Sequence, residues 1–213
     1  MEEVSRKTIA KYLGYRGKPM DEPTYALIEE ALLDLAPIVP RHVLLRLPLS
    51  IAEHKVIIEG FQVESQSLSS HLARCNEAVL LAATLGVQAD QLIGRASITR
   101  MSKAVVLQAC AAAKLEAYLN GIGHGLAREV EAEGLYLTPR FSPGYGDLPL
   151  ACQTEMLTLL EAGKRIGLGL TADFLLTPIK SVTAIIGLSR KKQSACYQVC
   201  QRCPHTACPF REE

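Results

Sequence analysis

Four cysteines crowd the C-terminal end of this 213-residue chain: Cys196, Cys200, Cys203 and Cys208, spaced C-x3-C-x2-C-x4-C. Four thiolates this close can converge on one metal centre with modest bending of the chain, and soft sulfur ligands select zinc or an iron–sulfur cluster. Structural zinc sites usually set two C-x2–4-C knuckles on either side of a longer loop. No long loop separates these cysteines, and Pro204 and Pro209 each follow one directly. That compact pattern is closer to ferredoxin-type ligation. An iron–sulfur cluster, a zinc knot and a reduced tail without metal all stay open on spacing alone. The other three cysteines, Cys75, Cys110 and Cys152, lie scattered in apolar or mixed segments. They read as small buried apolar residues. Seven is an odd count, which argues against a disulfide framework.

A second group is the run Arg-Phe-Ser-Pro-Gly-Tyr-Gly-Asp at 140–147. Arg140 offers a guanidinium fork suited to a carboxylate. Pro143 fixes its own backbone angle, and Gly144 and Gly146 permit close approach to a ligand. Tyr145 adds an aromatic face that attracts cations such as a sulfonium. Together they suit a zwitterionic amino-acid ligand with an extra positive centre. A tight Pro–Gly turn beside a solvated Arg explains the same residues equally simply.

Other chemistry is scarce. No phosphate loop with Lys-Ser/Thr occurs, and no dinucleotide fingerprint follows a strand. The glycines at 121, 123 and 125 follow a helix and read as its break. His42, His54, His71 and His124 have no spacing that suggests a zinc hydrolase. Twenty-three basic residues against twenty-two acidic leave a net charge of +1, which is no footprint for nucleic acid. Aromatics make up 5% and Trp is absent, against a stacking platform for single strands. The longest apolar run, 78–87, is too short for a bilayer span, and the first residues lack a signal-peptide core. The expectation is a cytoplasmic protein with no membrane or nucleic-acid partner.

The elements that must position these groups read as α+β. Helices are expected at 4–13, after Pro23 as far as Pro37, across 72–82 to Gly86, at 90–98, at 103–120 with resumption to 133, and around 156–163. Strands are expected at 56–64, 135–141, 172–177 and 181–188. The segment between Pro40 and Pro48 has no firm assignment. The strands should form a mainly antiparallel twisted sheet covered by helices, with loop 140–147 lining a groove. Residues 1–189 make the main domain, with 1–55 its helical N-terminal part, and 190–213 make a Cys-rich tail.

The stretch Leu137-Thr-Pro-Arg-Phe-Ser-Pro-Gly-Tyr-Gly-Asp-Leu-Pro-Leu150, followed by Leu176-Thr-Pro-Ile-Lys-Ser-Val-Thr-Ala-Ile-Ile-Gly187, resembles the activation domain of cobalamin-dependent methionine synthase. The upstream run Ala83-Thr-Leu-Gly86, with Asp90, Ile93, Arg95 and Glu116, is similar to the same family. The likeness spans roughly 75–189 and is nearest to free-standing relatives of that domain. It implies binding of S-adenosylmethionine and docking on a corrinoid-binding methionine synthase chain whose cobalt has been oxidised to the inactive cobalt(II) state. One electron and a methyl group then restore methylcobalamin. By the same resemblance Arg140 meets the ligand carboxylate, and the backbone of Ser142, Pro143, Gly144 and Tyr145 lines the ligand. The family's aromatic pair falls on Ile186 and Gly187, where any contact must be backbone or apolar. No acid or base is needed, because alignment and exclusion of water suffice for displacement at a sulfonium carbon. A low-potential cluster on Cys196, Cys200, Cys203 and Cys208 would supply an electron relay, in addition to any separate low-potential electron donor. Two other functions remain open: a metal-binding interaction module without catalysis, and a general corrinoid-protein reactivator that does not bind S-adenosylmethionine.

Overall fold

The computed structural model describes residues 4–15 and 18–191. The chain opens with two capped helices. In α1 (Arg6–Tyr12) Ser5 accepts from the Thr8 amide, and in α2 (Glu22–Leu35) Asp21 accepts from the Thr24 amide at 2.8 Å. Each cap satisfies an amide that the first helical turn leaves without an internal partner. Pro23 sits in the first turn of α2, where a missing amide costs nothing.

The helical N-terminal part ends there, well short of residue 55. Residues Arg41–Ala52 form β1, a twelve-residue strand covering the segment that sequence left unassigned. Pro48 stands where β1 changes partners. Arg41 to Pro48 pair with one neighbour and Leu49 to Ala52 with the other, so a residue without an amide fits at the crossover. The strand expected at 56–64 is a hairpin of β2 (Lys55–Ile58) and β3 (Phe61–Glu64), turned at Gly60 with φ +76°. After α3 (Gln66–Leu72) comes β4 (Cys75–Thr84), which corrects the helix expected across 72–82.

The reason is burial on both sides. Val79, Leu81 and Ala83 of β4 face one core, with Ile9, Ile28, Leu35 and Leu107. Ala78, Leu80 and Ala82 face the other, with Val56, Ile58, Leu68 and Met156. A strand buried on both faces reads as a continuous apolar run, which period alone does not separate from a helix.

Helices α4 (Val87–Thr99) and α5 (Met101–Glu131) follow. The 31 residues of α5 run straight through Gly121, Gly123 and Gly125. Each glycine costs about 1 kcal/mol relative to Ala. Tertiary packing outweighs that cost, because Leu119 and Val130 are buried on either side of the glycines and Ile122 and Leu126 pack against the same core. The chain then forms β5 (Tyr136–Leu137), a short 3-10 turn at Leu150–Cys152, α6 (Gln153–Leu159), α7 (Ala162–Ile166), β6 (Gly169–Leu170), β7 (Leu176–Thr177) and β8 (Ser181–Ser189).

The main sheet is six-stranded, in the order β3-β2-β1-β4-β8-β5, and every pair is antiparallel. Helices α1, α2, α4 and α5 cover one face; α3, α6 and α7 lie on the other. The strand expected at 172–177 does not join this sheet. Only Leu176 and Thr177 are extended, and they pair with β6 in a separate two-stranded ribbon. Cys75, Cys110 and Cys152 are free and buried, as their apolar surroundings predict. No helix among the described residues is long and apolar enough to cross a membrane.

Candidate functional site

The loop after β5 is strapped to the edge of β8. The Thr138 amide donates to the Gly187 carbonyl, and the Gly187 amide donates back to the Thr138 hydroxyl, both at 2.8 Å. Phe141 and Ile185 exchange backbone hydrogen bonds at 2.9 and 2.8 Å. Two such clamps fix the backbone on either side of Arg140. Its side chain can then be aimed at little entropic cost on binding.

A second anchor holds the far end of the loop. The Asp147 carboxylate accepts from the Ser65 hydroxyl at 2.6 Å and from the amides of Gln66 and Ser67 at 2.7 and 3.1 Å. These donors hold its carboxyl far below the ordinary value, the Ser65 hydroxyl contributing most. Gly146 adopts φ +56° and lies so near α3 that a β-carbon there would collide with the Ser67 side chain. Gly144 has φ +90°, and its amide donates to the Leu148 carbonyl at 2.8 Å. The glycines therefore serve the turn itself.

Between the anchors, His71 Nε2–H donates to the Pro139 carbonyl at 2.9 Å. Burial lowers the pKa of this imidazole, which favours the neutral ring. The His71 ring lies 5.0 Å from Phe141, and Phe141 lies edge-on to Tyr145 at 5.8 Å. Tyr145 itself is 54% exposed, so its ring is available to a ligand.

Arg140 is not a solvated side chain. Its Nη2 donates to Glu116 Oε2 at 2.8 Å and to Asn120 Oδ1 at 3.3 Å. Glu116 and Asn120 are four residues apart on α5 and so share one face of that helix. Tyr12 of α1 lies in the same electrostatic neighbourhood. Burial pushes its phenol up most, with the Glu116 carboxylate adding and the Arg140 guanidinium opposing. The structure thus brings together Tyr12, Glu116, Asn120, Arg140 and Tyr145 from three elements. The spacing of Glu116 and Asn120 was available in the sequence. What chain order does not reveal is that α5 and the loop face each other.

The remaining sequence candidates are placed differently. Pro143 is buried and Ser142 half-buried. Ile186 is only 3% exposed and belongs to the helix-side core. Gly187 is buried, and a β-carbon on it would lie 2.6 Å from Leu72 Cδ2 and 3.1 Å from Thr138 Cγ2. Neither presents exposed surface beside Arg140. Cys196, Cys200, Cys203 and Cys208 lie outside the described residues. Among the described residues, no group of three His, Cys, Asp or Glu side chains could hold a metal. Cavities of about 470 and 940 Å³ open elsewhere, and the loop 140–147 lines neither.

No family profile matches this sequence, and no curated protein does. A solved structure matches by shape: the crystal structure of the MetH reactivation domain bound to AdoHcy. The match covers 91% of this chain and 79% of that chain, with a TM-score of 0.62 and 18% sequence identity. The chain has the fold of that reactivation domain. Identity this low makes the relationship a distant structural one.

Proposed function

We propose that this chain binds S-adenosylmethionine at the Arg140–Glu116 site and supports reductive methylation of the corrinoid of a partner cobalamin-dependent methionine synthase. The observation that carries the reading is the pairing of an Arg and a carboxylate beside an exposed Tyr, on a fold shared with a domain that binds AdoHcy. A zwitterionic amino-acid group can replace the internal ion pair with two external ones. Its carboxylate takes the fork of Arg140, and its ammonium takes Glu116 with the Asn120 amide oxygen alongside. The pair is about one-third exposed on each side, 29% and 36%, so a ligand can reach it. The faces of Tyr145 and Tyr12 then suit the sulfonium that distinguishes S-adenosylmethionine from its demethylated product.

The role of these residues is positional. They hold the donor by its amino-acid end, so that the methyl group points to a corrinoid carried by the partner. Placement of this kind accounts for several kcal/mol of a methyl-transfer barrier without any acid or base. The four clustered cysteines complete the reading as a metal-binding tail. An iron–sulfur cluster there would supply the electron that reactivation requires, and zinc would make the tail structural.

Calorimetric titration of S-adenosylmethionine and S-adenosylhomocysteine into the full chain tests the site. Both ligands should bind, and Arg140→Ala should weaken both by about 1.5–3 kcal/mol. An unchanged affinity in that variant overturns the assignment. Iron, sulfide and zinc analysis after anaerobic purification separates the cluster from the zinc knot.

A further inference from the structure

The helix that carries Glu116 also walls a cavity on another of its sides. Tyr118 is two residues beyond Glu116, about 200° around α5, so it leaves the helix away from the partners of Arg140. There α5 and the start of β1 enclose a cavity of about 940 Å³, a size that takes a small organic molecule. At one end of it the His42 Nδ1 and the Tyr118 hydroxyl share a hydrogen bond of 2.6 Å. Burial lowers the pKa of the imidazole and raises that of the phenol, so both are neutral near pH 7. In either tautomer the pair keeps one further N–H or O–H to donate. The two rings meet edge to face with centroids 5.5 Å apart, a wall that suits another aromatic ring.

The middle of the cavity is apolar. Leu44, Ile122 and Leu126 pack on the helix-side core and also line the cavity. Gly121 and Gly125 line it between them, and a β-carbon on either would meet nothing within 4 Å, so the floor is open. Arg128 and Glu129 stand at the far end. From Tyr118 to Arg128 is ten residues, about 15 Å along the helix. Arg128 donates through Nε to the His124 carbonyl at 3.4 Å, and its guanidinium enters no ion pair among the described residues. Its remaining N–H groups suit a carboxylate. The Glu129 carboxylate beside it disfavours a second negative charge, which selects a monoanion over a phosphate dianion.

We propose that this cavity binds an aromatic monocarboxylate. The carboxylate takes the guanidinium of Arg128. The planar body lies over Gly121 and Gly125 against Leu44, Ile122 and Leu126, and a polar group at its other end meets the His42–Tyr118 pair. The site uses no residue of the Arg140 loop and is independent of S-adenosylmethionine binding there.

The test is fluorescence titration of the full chain with anilinonaphthalene sulfonate, an aromatic monoanion that brightens in apolar surroundings. Phenylnaphthylamine, the same molecule without the sulfonate, serves as the neutral probe. Both probes should bind with saturation. Arg128→Gln should weaken the sulfonate roughly tenfold, the scale of a lost charge-assisted hydrogen bond, and leave the neutral probe unchanged. Gly125→Leu fills the floor and should abolish binding of both. Gly123→Leu changes the same stretch of helix outside the cavity lining and should bind both as the parent does, which guards against a helix defect. Arg140→Ala should leave both affinities unchanged. Naphthoate should displace the sulfonate probe at lower concentration than naphthyl phosphate does. Absence of binding, binding that survives Gly125→Leu, or an equal loss in Gly123→Leu overturns the site. An equal loss of both probes in Arg128→Gln, or better displacement by the phosphate, overturns the monocarboxylate assignment. A loss of both probes in Arg140→Ala overturns the independence of the two sites.

Discussion

The Arg140 guanidinium donates to the Glu116 carboxylate across 2.8 Å, joining the loop after β5 to the middle of the longest helix. The pair spans 24 residues of sequence and carries the two charges that a zwitterionic ligand would need to meet.

Glu116 should therefore matter to binding as Arg140 does. Glu116→Gln keeps the shape but removes the negative charge, and should weaken S-adenosylmethionine binding by about 1.5–3 kcal/mol. 5′-Methylthioadenosine lacks the amino-acid group, and its affinity should be unchanged in both Glu116→Gln and Arg140→Ala. Calorimetry with the two ligands on the two variants checks this; equal losses for both ligands would place the amino-acid end elsewhere.

Asp147 gives a pH dependence with a definite sign. Its carboxyl is held below its ordinary value of 3.8 by the Ser65 hydroxyl and the α3 amides, so the folded state binds the proton less readily than the unfolded chain. Its contribution is complete above about pH 4 and is lost as pH falls below that. In Asp147→Asn, stability followed by denaturant melts should fall less steeply with acid between about pH 4 and 2 than in the parent. Identical acid limbs would show that the anchor contributes nothing.

Glycines in two settings should respond in opposite directions. At Gly187 a β-carbon meets Cys75 Sγ at 2.5 Å and Leu72 Cδ2 at 2.6 Å, so Gly187→Ala should cost about 1–3 kcal/mol by overpacking. At Gly121 and Gly125 a β-carbon meets nothing within 4 Å, and the backbone is helical. Alanine at either should stabilise by about 0.5–1 kcal/mol. Urea unfolding of the three variants checks both signs.

The three buried thiols should be unreactive in the native protein. Burial pushes Cys75 up to about 11 and Cys110 and Cys152 up to about 12, so few thiolates form near neutrality. Native protein treated with an aromatic disulfide reagent at pH 8 should therefore keep these three unmodified until denaturant is added. Peptide mapping of early modification at Cys110 would contradict the burial.

Local chemistry was enough to place several elements. Pro23 marks the start of α2, and small good helix formers mark α5. Alternation marks the strand carrying Phe61 and Val63, and the Pro-Gly-Tyr-Gly run marks the loop after β5. Their signals act over a few residues, which is the range over which sequence pattern carries structural meaning. The α+β class and the antiparallel sheet followed from that order. Tertiary structure decided the rest. Residues 75–84 became a central strand because cores form on both of its faces, whereas an apolar run alone permits either period. Packing around Leu119 and Val130 carries α5 through three glycines that by propensity should end it. Most of all, the partner of Arg140 was set by the crossing of α5 over the β5–β8 edge. Charge pairing between residues 24 positions apart depends on where two elements lie in space, and no local pattern encodes that distance.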